Sequence, residues 1–364
     1  MHGGFEGGKV ESICTHGTHG EGRNDHPFIE GYQRGSSSTE SIVEMAQGMK
    51  RKFARVRRRL ARRMHKLRRG RVRSADTRVA GIDPEKIVWI FGSARTGSTW
   101  LATMMADLKG HTGWPEPLVG YLFGHLYYER AANRHDNDLF ILGGDEELWL
   151  KPLRAFVLDS AKARFPKVAE KGGYLVIKEP HGSQGAPLLM RALPESRMIL
   201  LVRDPRDAVA SQMDLSREGG RVRQAAKARG VKKKNTSADE RPDAFVKSHA
   251  KRYLQNLSLA KQAYDAHGGR KVVVRYEDLR EETFGTMRRI YSALEIPVDE
   301  RELSRVVENR SWENIPERKK GSGMFLRKAT PGGWVDDLTP QQAKTVERIT
   351  APLLKEFYSE DRRL

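Results

Sequence analysis

A glycine-bounded turn follows the first strongly apolar run of the chain. The run Lys86–Phe91 leads into Gly92–Trp100, which reads Gly-Ser-Ala-Arg-Thr-Gly-Ser-Thr-Trp. Two glycines separated by four residues, between a strand and a helix, are typical of a loop whose backbone N–H groups bind a phosphate. Ser98 stands where a nucleotide kinase has lysine, and Arg95 supplies a cation inside the loop instead. The residues expected to hold the phosphate are Arg95, Thr96, Gly97, Ser98 and Thr99.

A second polar motif follows another apolar run. Met198–Val202 leads into Arg203-Asp204-Pro205-Arg206-Asp207, and Ser211 comes eight residues after Arg203. Pro205 suits the first turn of a helix, so Ser211 is expected about one and a half turns further along that helix. The guanidinium of Arg203 and the hydroxyl of Ser211 could then bind a second phosphate together. A capped helix with a surface Asp/Arg pair is the alternative interpretation.

Both motifs belong to an alternation of apolar strands and helical stretches. The expected strands are Lys86–Phe91, Tyr174–Lys178, Met198–Val202 and Lys271–Arg275. This alternation predicts an α/β fold with a mainly parallel sheet that helices cover on both faces. Ligands of such sheets bind beyond the carboxyl ends of the strands, where both motifs lie. Two segments interrupt the pattern: an aromatic and acidic insertion at 111–149, and a basic segment at 217–241 that resembles a mobile lid.

The positive charge of the chain is concentrated in its N-terminal region. The 364 residues carry a net charge of +19, and 14 Lys or Arg with no acidic residue lie between Lys50 and Arg73. Residues 1–80 have few large apolar side chains, which predicts a disordered, Arg-rich arm ahead of a globular domain at 81–364. Apolar residues at helical spacing between Phe53 and Leu67 fit a helix on an anionic membrane or nucleic acid, or else a solvated arm.

Composition also limits the compartment. No apolar run approaches the roughly 20 residues that a membrane-spanning helix needs, and the start of the chain has no segment typical of a signal peptide. The single cysteine, Cys14, excludes an internal disulfide framework. These features predict a cytoplasmic protein whose contact with a membrane, if it has one, is peripheral.

The two phosphate motifs together resemble those of sulfotransferases that use 3′-phosphoadenosine 5′-phosphosulfate (PAPS). The resemblance runs from about Lys86 to the C-terminus, and the Arg-Thr-Gly-Ser sequence of the loop is most similar to carbohydrate and bacterial members. It implies the P-loop-like fold of that family, with PAPS as co-substrate and no metal. By resemblance, the loop around Arg95 holds the 5′ side of PAPS, while Arg203 and Ser211 hold its 3′-phosphate.

Two further segments carry the resemblance. Trp100 matches a tryptophan that stacks on adenine in cytosolic members, although it could equally be a core residue of its helix. Phe325–Trp334 is similar to the family's C-terminal loop, and by resemblance Arg327 and Lys328 close over the 3′-phosphate. The chain departs from the family at Ala329, where a glycine is usual.

Sulfuryl transfer needs cationic groups at the leaving phosphate and a base for the acceptor's proton. Arg95 and the amides of its loop suit the first role. The family places its base near the end of the strand Tyr174–Lys178, where this chain reads Lys178-Glu179-Pro180-His181. Either Glu179 or His181 could accept the proton, and we favour Glu179, with Lys178 near the transferring group. No cluster of carboxylates or histidines has the spacing of a metal site.

The sequence therefore predicts sulfuryl transfer from PAPS to a hydroxyl or amine of a carbohydrate, lipid or small metabolite. A P-loop kinase is one alternative, although the missing loop lysine and the lack of a clear acidic strand end for Mg²⁺ argue against it. The other is a non-enzymatic protein that binds nucleic acid or membrane through its basic segments, on a sulfotransferase scaffold. No nucleic-acid-binding motif supports this second alternative.

Overall fold

One sheet of five parallel strands organises the described part of the chain. The computed structural model describes residues 81–131, 141–217, 219–220, 224, 238–324 and 328–359. The strands are β1 (Ile87–Gly92), β2 (His111–Pro115), β3 (Tyr174–Lys178), β4 (Arg197–Val202) and β5 (Lys271–Arg275). They lie in the order β2-β3-β1-β4-β5, and each neighbouring pair is parallel.

Helices connect the strands. The α-helices are α1 (Ser98–Ala106), α2 (Val119–Gly124), α3 (Glu146–Arg164), α4 (Pro166–Lys171), α5 (Ala186–Ala192), α6 (Pro205–Ser216), α7 (Pro242–Ala266), α8 (Tyr276–Glu281), α9 (Thr283–Ala293), α10 (Glu300–Asn309) and α11 (Pro340–Tyr358). A π-helical segment, His125–Ala131, continues α2, and short 3₁₀ turns occupy Pro84–Lys86, Ser183–Gly185, Glu317–Lys319 and Gly333–Asp336.

The central strands are apolar on both faces because helices cover both faces. β1 and β4 are buried at every position. Alternate side chains of β1 enter different core clusters: Trp89 packs with the cluster that includes α3, α5 and α7, and Ile90 packs with the cluster that includes α1 and α9. A strand buried on both faces reads as a continuous apolar run, which is how β1 and β4 could be predicted. The expected α/β architecture is confirmed.

Three expectations about the chain's organisation need correction or lie outside the described residues. The segment 111–149 is not wholly an insertion, since it begins with β2, which pairs with β3 at one edge of the sheet. β1 runs one residue later than expected, and β4 starts one residue earlier. The arm at 1–80 and most of the expected lid at 217–241 lie outside the described residues.

The strand order fixes where a ligand can bind. The chain leaves β1 for β2 at one edge, returns through β3 beside β1, and then crosses to β4 on the other side of β1. Such a reversal opens a crevice beyond the carboxyl ends of the central strands. The loops that follow β1, β3 and β4 therefore converge at one place.

Candidate functional site

A cavity of about 440 Å³ lies beyond the carboxyl ends of the strands. This volume is typical of a site for a small organic molecule. Among the described residues, its lining carries five basic side chains and one carboxylate: Arg95, Lys178, Arg203, Arg280, Lys328 and Glu116. Such a lining favours a ligand with several negative charges.

The loop after β1 turns so that the start of α1 faces this cavity. Gly97 precedes α1 with a φ of 87°, and a Cβ at that position would lie 2.5 Å from the ring of Tyr276, so only glycine fits there. Thr96 is fully buried, and its hydroxyl donates to the carbonyl of Ser93 at 2.9 Å. Arg95 has a φ of 72°, an unfavourable conformation for a residue with a side chain. The loop thus presents Arg95 and the helix start to the cavity, while Thr96 stabilises the turn from inside.

The two phosphate motifs are in direct contact. Asp204 caps α6, and Pro205 occupies its first turn as expected. Nε of Arg95 donates to Oγ of Ser211 at 3.1 Å, and Nη1 of Arg203 donates to the carbonyl oxygen of Arg95 at 3.0 Å. Residues more than a hundred positions apart in the chain therefore form one cationic cluster with a hydroxyl.

Arg203 carries a buried positive charge that is only partly compensated. It is 7% exposed, and its guanidinium lies 4.3 Å from the ring centre of Tyr276. Its nearest carboxylate, that of Asp207, is 3.9 Å away and accepts hydrogen bonds from the backbone N–H groups of Gly332 and Trp334. Nε of Arg203 has no hydrogen-bond partner among the described residues. Because Arg203 lines the cavity, an anionic ligand there would compensate part of its charge.

The C-terminal loop covers the same end of the cavity. Lys328 lines the cavity and pairs with Asp337 at 3.2 Å, whereas Arg327 lies outside the described residues. Ala329, where the family usually has glycine, has a φ of 52°, and its carbonyl accepts from Nε of Arg280 at 3.1 Å. A left-handed backbone is a physical reason for a glycine preference there. Sequence reasoning did not identify Arg280 as a cavity residue.

The opposite end of the cavity contains a lysine and a glutamate. Nζ of Lys178, at the end of β3, donates to Oγ1 of Thr99 at 2.9 Å and to Oε1 of Glu116 at 2.7 Å. The Glu116 side chain is 37% exposed, so an incoming acceptor can reach it. Sequence reasoning missed Glu116 because the segment beginning at His111 was interpreted as an insertion. Glu116 directly follows β2, and its position at the end of a strand is the signal that could have identified it.

Neither residue expected as the base lies in the lining. Glu179 is fully buried, and its Oε1 accepts from the backbone N–H of Val119 at 2.9 Å. Burial is the main reason that the pKa of Glu179 is raised to about 7. His181 lies on the surface beyond β3, and partial desolvation of its ring lowers its pKa. Of Lys178, Glu179 and His181, only Lys178 lines the cavity. The charges of Glu116, Lys178 and Arg95 nevertheless act on the pKa of His181.

Two tryptophans form an apolar wall. Trp100 packs against the core cluster on its face of the sheet and also lines the cavity, and its Nε1 donates to the carbonyl of Arg310 at 2.8 Å. Trp312 lines the cavity nearby, and sequence reasoning did not identify it. Trp100 therefore contacts both the core and the cavity.

The described residues contain neither a candidate metal site nor a candidate membrane span. No group of three or more His, Cys, Asp or Glu side chains there is placed to hold a metal ion. In the same ranges, no helix combines the length and the apolar character needed to cross a membrane. The cytoplasmic location stays a prediction.

The chain is similar to several known sulfotransferases. An amine sulfotransferase of Oryctolagus cuniculus is 29% identical, in a match that covers 22% of this chain and 32% of that protein. The match thus spans about a third of this curated relative. Similar solved structures are a mouse sulfotransferase complexed with PAP (13% identity, TM-score 0.47, 76% of this chain and 87% of that one) and a sulfotransferase of Mycobacterium avium (15%, 0.44, 78% and 79%).

The match to a family model is more extensive than the match to the curated relative. The model described as "Sulfotransferase family" matches residues 88–300, more than half of the chain. This range contains the loop at Arg95, the pair Arg203 and Ser211, and the lysine and glutamate at the other end of the cavity. It confirms the family that the motifs predicted. The chain belongs to the sulfotransferase family.

Proposed function

We propose that this protein transfers a sulfuryl group from PAPS to a hydroxyl or amine group of an acceptor. The observation that carries the proposal is the cavity lining, in which five basic side chains surround a single carboxylate among the described residues. A donor with two separate phosphate positions matches the two ends of the basic cluster. The lone carboxylate, Glu116, matches the need for one proton acceptor.

The residues present fit PAPS. Arg203, with its unpartnered buried Nε, and Ser211 would hold the 3′-phosphate, with Lys328 closing from the C-terminal loop. The amides at the start of α1 would hold the 5′ side, because a helix N-terminus favours an anion. The wall made by Trp100 and Trp312 would pack against adenine.

The transfer end of the cavity supplies charge and a base. PAPS, when bound, supplies a sulfuryl group attached to a phosphate leaving group. Arg95 and Lys178 would neutralise the negative charge that grows on that phosphate, as donors in an oxyanion hole do. Glu116 would accept the proton of the acceptor, because it is the cavity carboxylate that Lys178 orients. We prefer Glu116 to Glu179 and His181 as the base, because neither of those two side chains lines the cavity.

The acceptor would approach from the side of Glu116. Leu118, Tyr121 and Leu122, just beyond Glu116 in the chain, expose 43%, 50% and 46% of their surface. An apolar surface near the base suits an alcohol or amine with an apolar or ring-shaped body, since stacking and burial of such a body are favourable. Carbohydrates, lipids and small metabolites are the acceptor classes to screen.

A radiolabel experiment tests the proposal. The protein is incubated with sulfur-35-labelled PAPS and a panel of hydroxyl and amine acceptors, and in parallel with γ-phosphorus-32-labelled ATP and Mg²⁺. We expect label to reach an acceptor from PAPS and not from ATP. Label transferred only from ATP would favour the kinase alternative. Transfer from neither donor, together with no binding of PAPS, would contradict the proposal.

A further inference from the structure

Glu179 is placed where it can control another residue without touching the cavity. It is the first residue after β3, is fully buried, and its backbone N–H donates to the carbonyl of Ile90 at 2.9 Å, which extends the pairing of β3 with β1. Its side chain lies outside the cavity lining. A buried carboxylate is costly unless hydrogen bonds satisfy it, so the groups around it indicate its role.

Those groups are the amides at the start of α2. Oε1 of Glu179 accepts from the N–H of Val119 at 2.9 Å. The N–H groups of Leu118 and Gly120 also act on the carboxyl, since both lower its pKa against the larger effect of burial. One amide at the start of α2 thus bonds directly to a side chain sixty residues distant in the chain, while Oε2 of that carboxyl has no hydrogen-bond partner among the described residues. This is the arrangement of a helix cap supplied from another element.

Two glycines allow the backbone to pack closely around the carboxyl. A Cβ on Gly182 would lie 2.1 Å from Oε2 of Glu179 and 2.9 Å from the backbone nitrogen of Tyr121. A Cβ on Gly120 would lie 2.2 Å from the carbonyl of Gly182. The backbone of α2 therefore packs against the turn after β3, and the Glu179 carboxyl lies beside this contact.

The turn that carries Glu116 is anchored at both of its ends by this region. The N–H of Glu116 donates to the carbonyl of Lys178 at 2.9 Å, and the N–H of Val119 donates to Glu179. Between these anchors, Glu116 and Leu118 have φ values of 50° and 63°, which are unfavourable for residues with side chains. Such a backbone persists only when its surroundings hold it.

We infer that Glu179 is a positioning residue whose carboxyl group holds the turn 116–119 in the conformation that points Glu116 into the cavity. The inference rests on the proposed function, because it concerns the placement of the proposed base. The sequence favoured Glu179 as the base, and its role here is a different one. Glu179 sets the geometry of proton transfer, while Glu116 takes the proton.

Three variants of Glu179 separate positioning from chemistry. Glu179→Gln keeps an oxygen acceptor for the Val119 amide, Glu179→Asp withdraws the carboxylate by one methylene, and Glu179→Ala removes it. Asp299→Ala is the matched control, since Asp299 caps α10 through the N–H of Glu302, away from the cavity lining. Each variant is measured for kcat and KM of transfer and for amide hydrogen exchange of residues 116–124. Calorimetry measures its affinity for 3′-phosphoadenosine 5′-phosphate (PAP), the product that remains after PAPS has given up its sulfuryl group.

We expect Glu179→Ala to lower kcat by about 10- to 100-fold, because misplacement of a reacting group costs that much. Loss of the cap should speed exchange at 118–120 by about fivefold or more. PAP affinity should stay unchanged, Glu179→Gln should restore most of the kcat, and Glu179→Asp should lie between. Asp299→Ala should lower the melting temperature without changing kcat. If Glu179→Ala does not fold, Glu179→Asp takes its place in the comparison.

Two results would overturn the inference. One is a loss of kcat in Glu179→Gln as large as in Glu116→Gln with exchange unchanged, which would make Glu179 the base. The other is a kcat equal to that of the wild type in a Glu179 variant whose amides at 118–120 exchange faster. A failure of the proposed function is distinguishable, since the wild-type protein would then bind no PAP. The exchange measurement would still decide whether Glu179 holds the turn.

Discussion

The two ends of the cavity are built in different ways. At the donor end, Arg203 follows a strand buried on both faces, and Ser211 lies on the helix that begins two residues later. At the transfer end, Glu116 follows an edge strand with no fully buried residue, and a carboxylate from another element holds its turn. The difference shows that a central strand positions the residues at its carboxyl end through its own core packing, whereas an edge strand needs support from its neighbours.

The largest expected effect tests the transfer end. Glu116→Gln keeps the size and the contact with Lys178 but cannot accept a proton, so kcat should fall by about 100- to 10,000-fold. PAP affinity should stay close to that of the wild type, because the donor end is intact. Steady-state transfer and calorimetry measure the two quantities. Glu308→Gln, on the exposed face of α10, is the control. A kcat that stays near wild type would remove Glu116 from the mechanism.

The next effect tests the junction between the two ends. Arg95 contacts Ser211 and lies in the loop that would hold the 5′ side of PAPS. Arg95→Ala should lower the transfer rate by about 100-fold or more, because it removes a donor to the developing charge. Rates at saturating PAPS measure this, with the exposed Arg305→Ala as control. Near-normal turnover with PAPS bound would contradict the proposed role.

The third prediction concerns pH and the support of the transfer end. Burial raises the pKa of Glu179 from 4.5 to about 7, so between these values the folded chain binds a proton that the unfolded chain has released. The contribution of this group to stability is therefore complete below pH 4.5 and falls as the pH rises towards 7. The slope reaches about 1.4 kcal/mol per pH unit. Urea unfolding of wild type and Glu179→Gln should show a difference in unfolding free energy that falls over this range, and a constant difference would refute the prediction.

The smallest effect tests the exposed rim of the donor end. Lys328 lies on the surface and already pairs with Asp337, so it should contribute less than the buried Arg203. Lys328→Ala should weaken PAP binding by about fivefold or less, and added salt should reduce the difference further. Calorimetry at two salt concentrations measures this. A loss as large as that of Arg203→Ala would contradict this prediction, because it would mean that the C-terminal loop contributes as much as the buried cluster to binding of the 3′-phosphate.

The same contrast explains which parts of the molecule could be predicted from the sequence. The strands that precede Arg95 and Arg203 contain continuous apolar runs, and the motifs after them have a recognisable spacing, so the fold and the donor-end residues could be predicted. β2 reads His-Thr-Gly-Trp-Pro, without the apolar run or alternation that marks a strand. Glu116 was therefore missed.

Glu179 shows a second limit of prediction from the sequence. A glutamate that follows a strand and a lysine looks like a base in the sequence. Only the structure shows that its carboxyl bonds to the backbone of Val119 and does not line the cavity. Contacts between residues sixty positions apart leave no periodic signal in a single sequence.

The proposed function requires that the buried basic cluster binds a nucleotide with two separate phosphates. The most direct test is calorimetric titration of the wild-type protein, Arg203→Ala and Arg305→Ala with PAP and with 5′-AMP, which lacks the 3′-phosphate. We expect the wild type and Arg305→Ala to bind PAP much more tightly than 5′-AMP. Arg203→Ala should lose about 10- to 100-fold in PAP affinity and little in 5′-AMP affinity, since it removes a charge-assisted contact to the 3′-phosphate alone. Equal binding of the two nucleotides by the wild type, or no effect of Arg203→Ala, would contradict the claim.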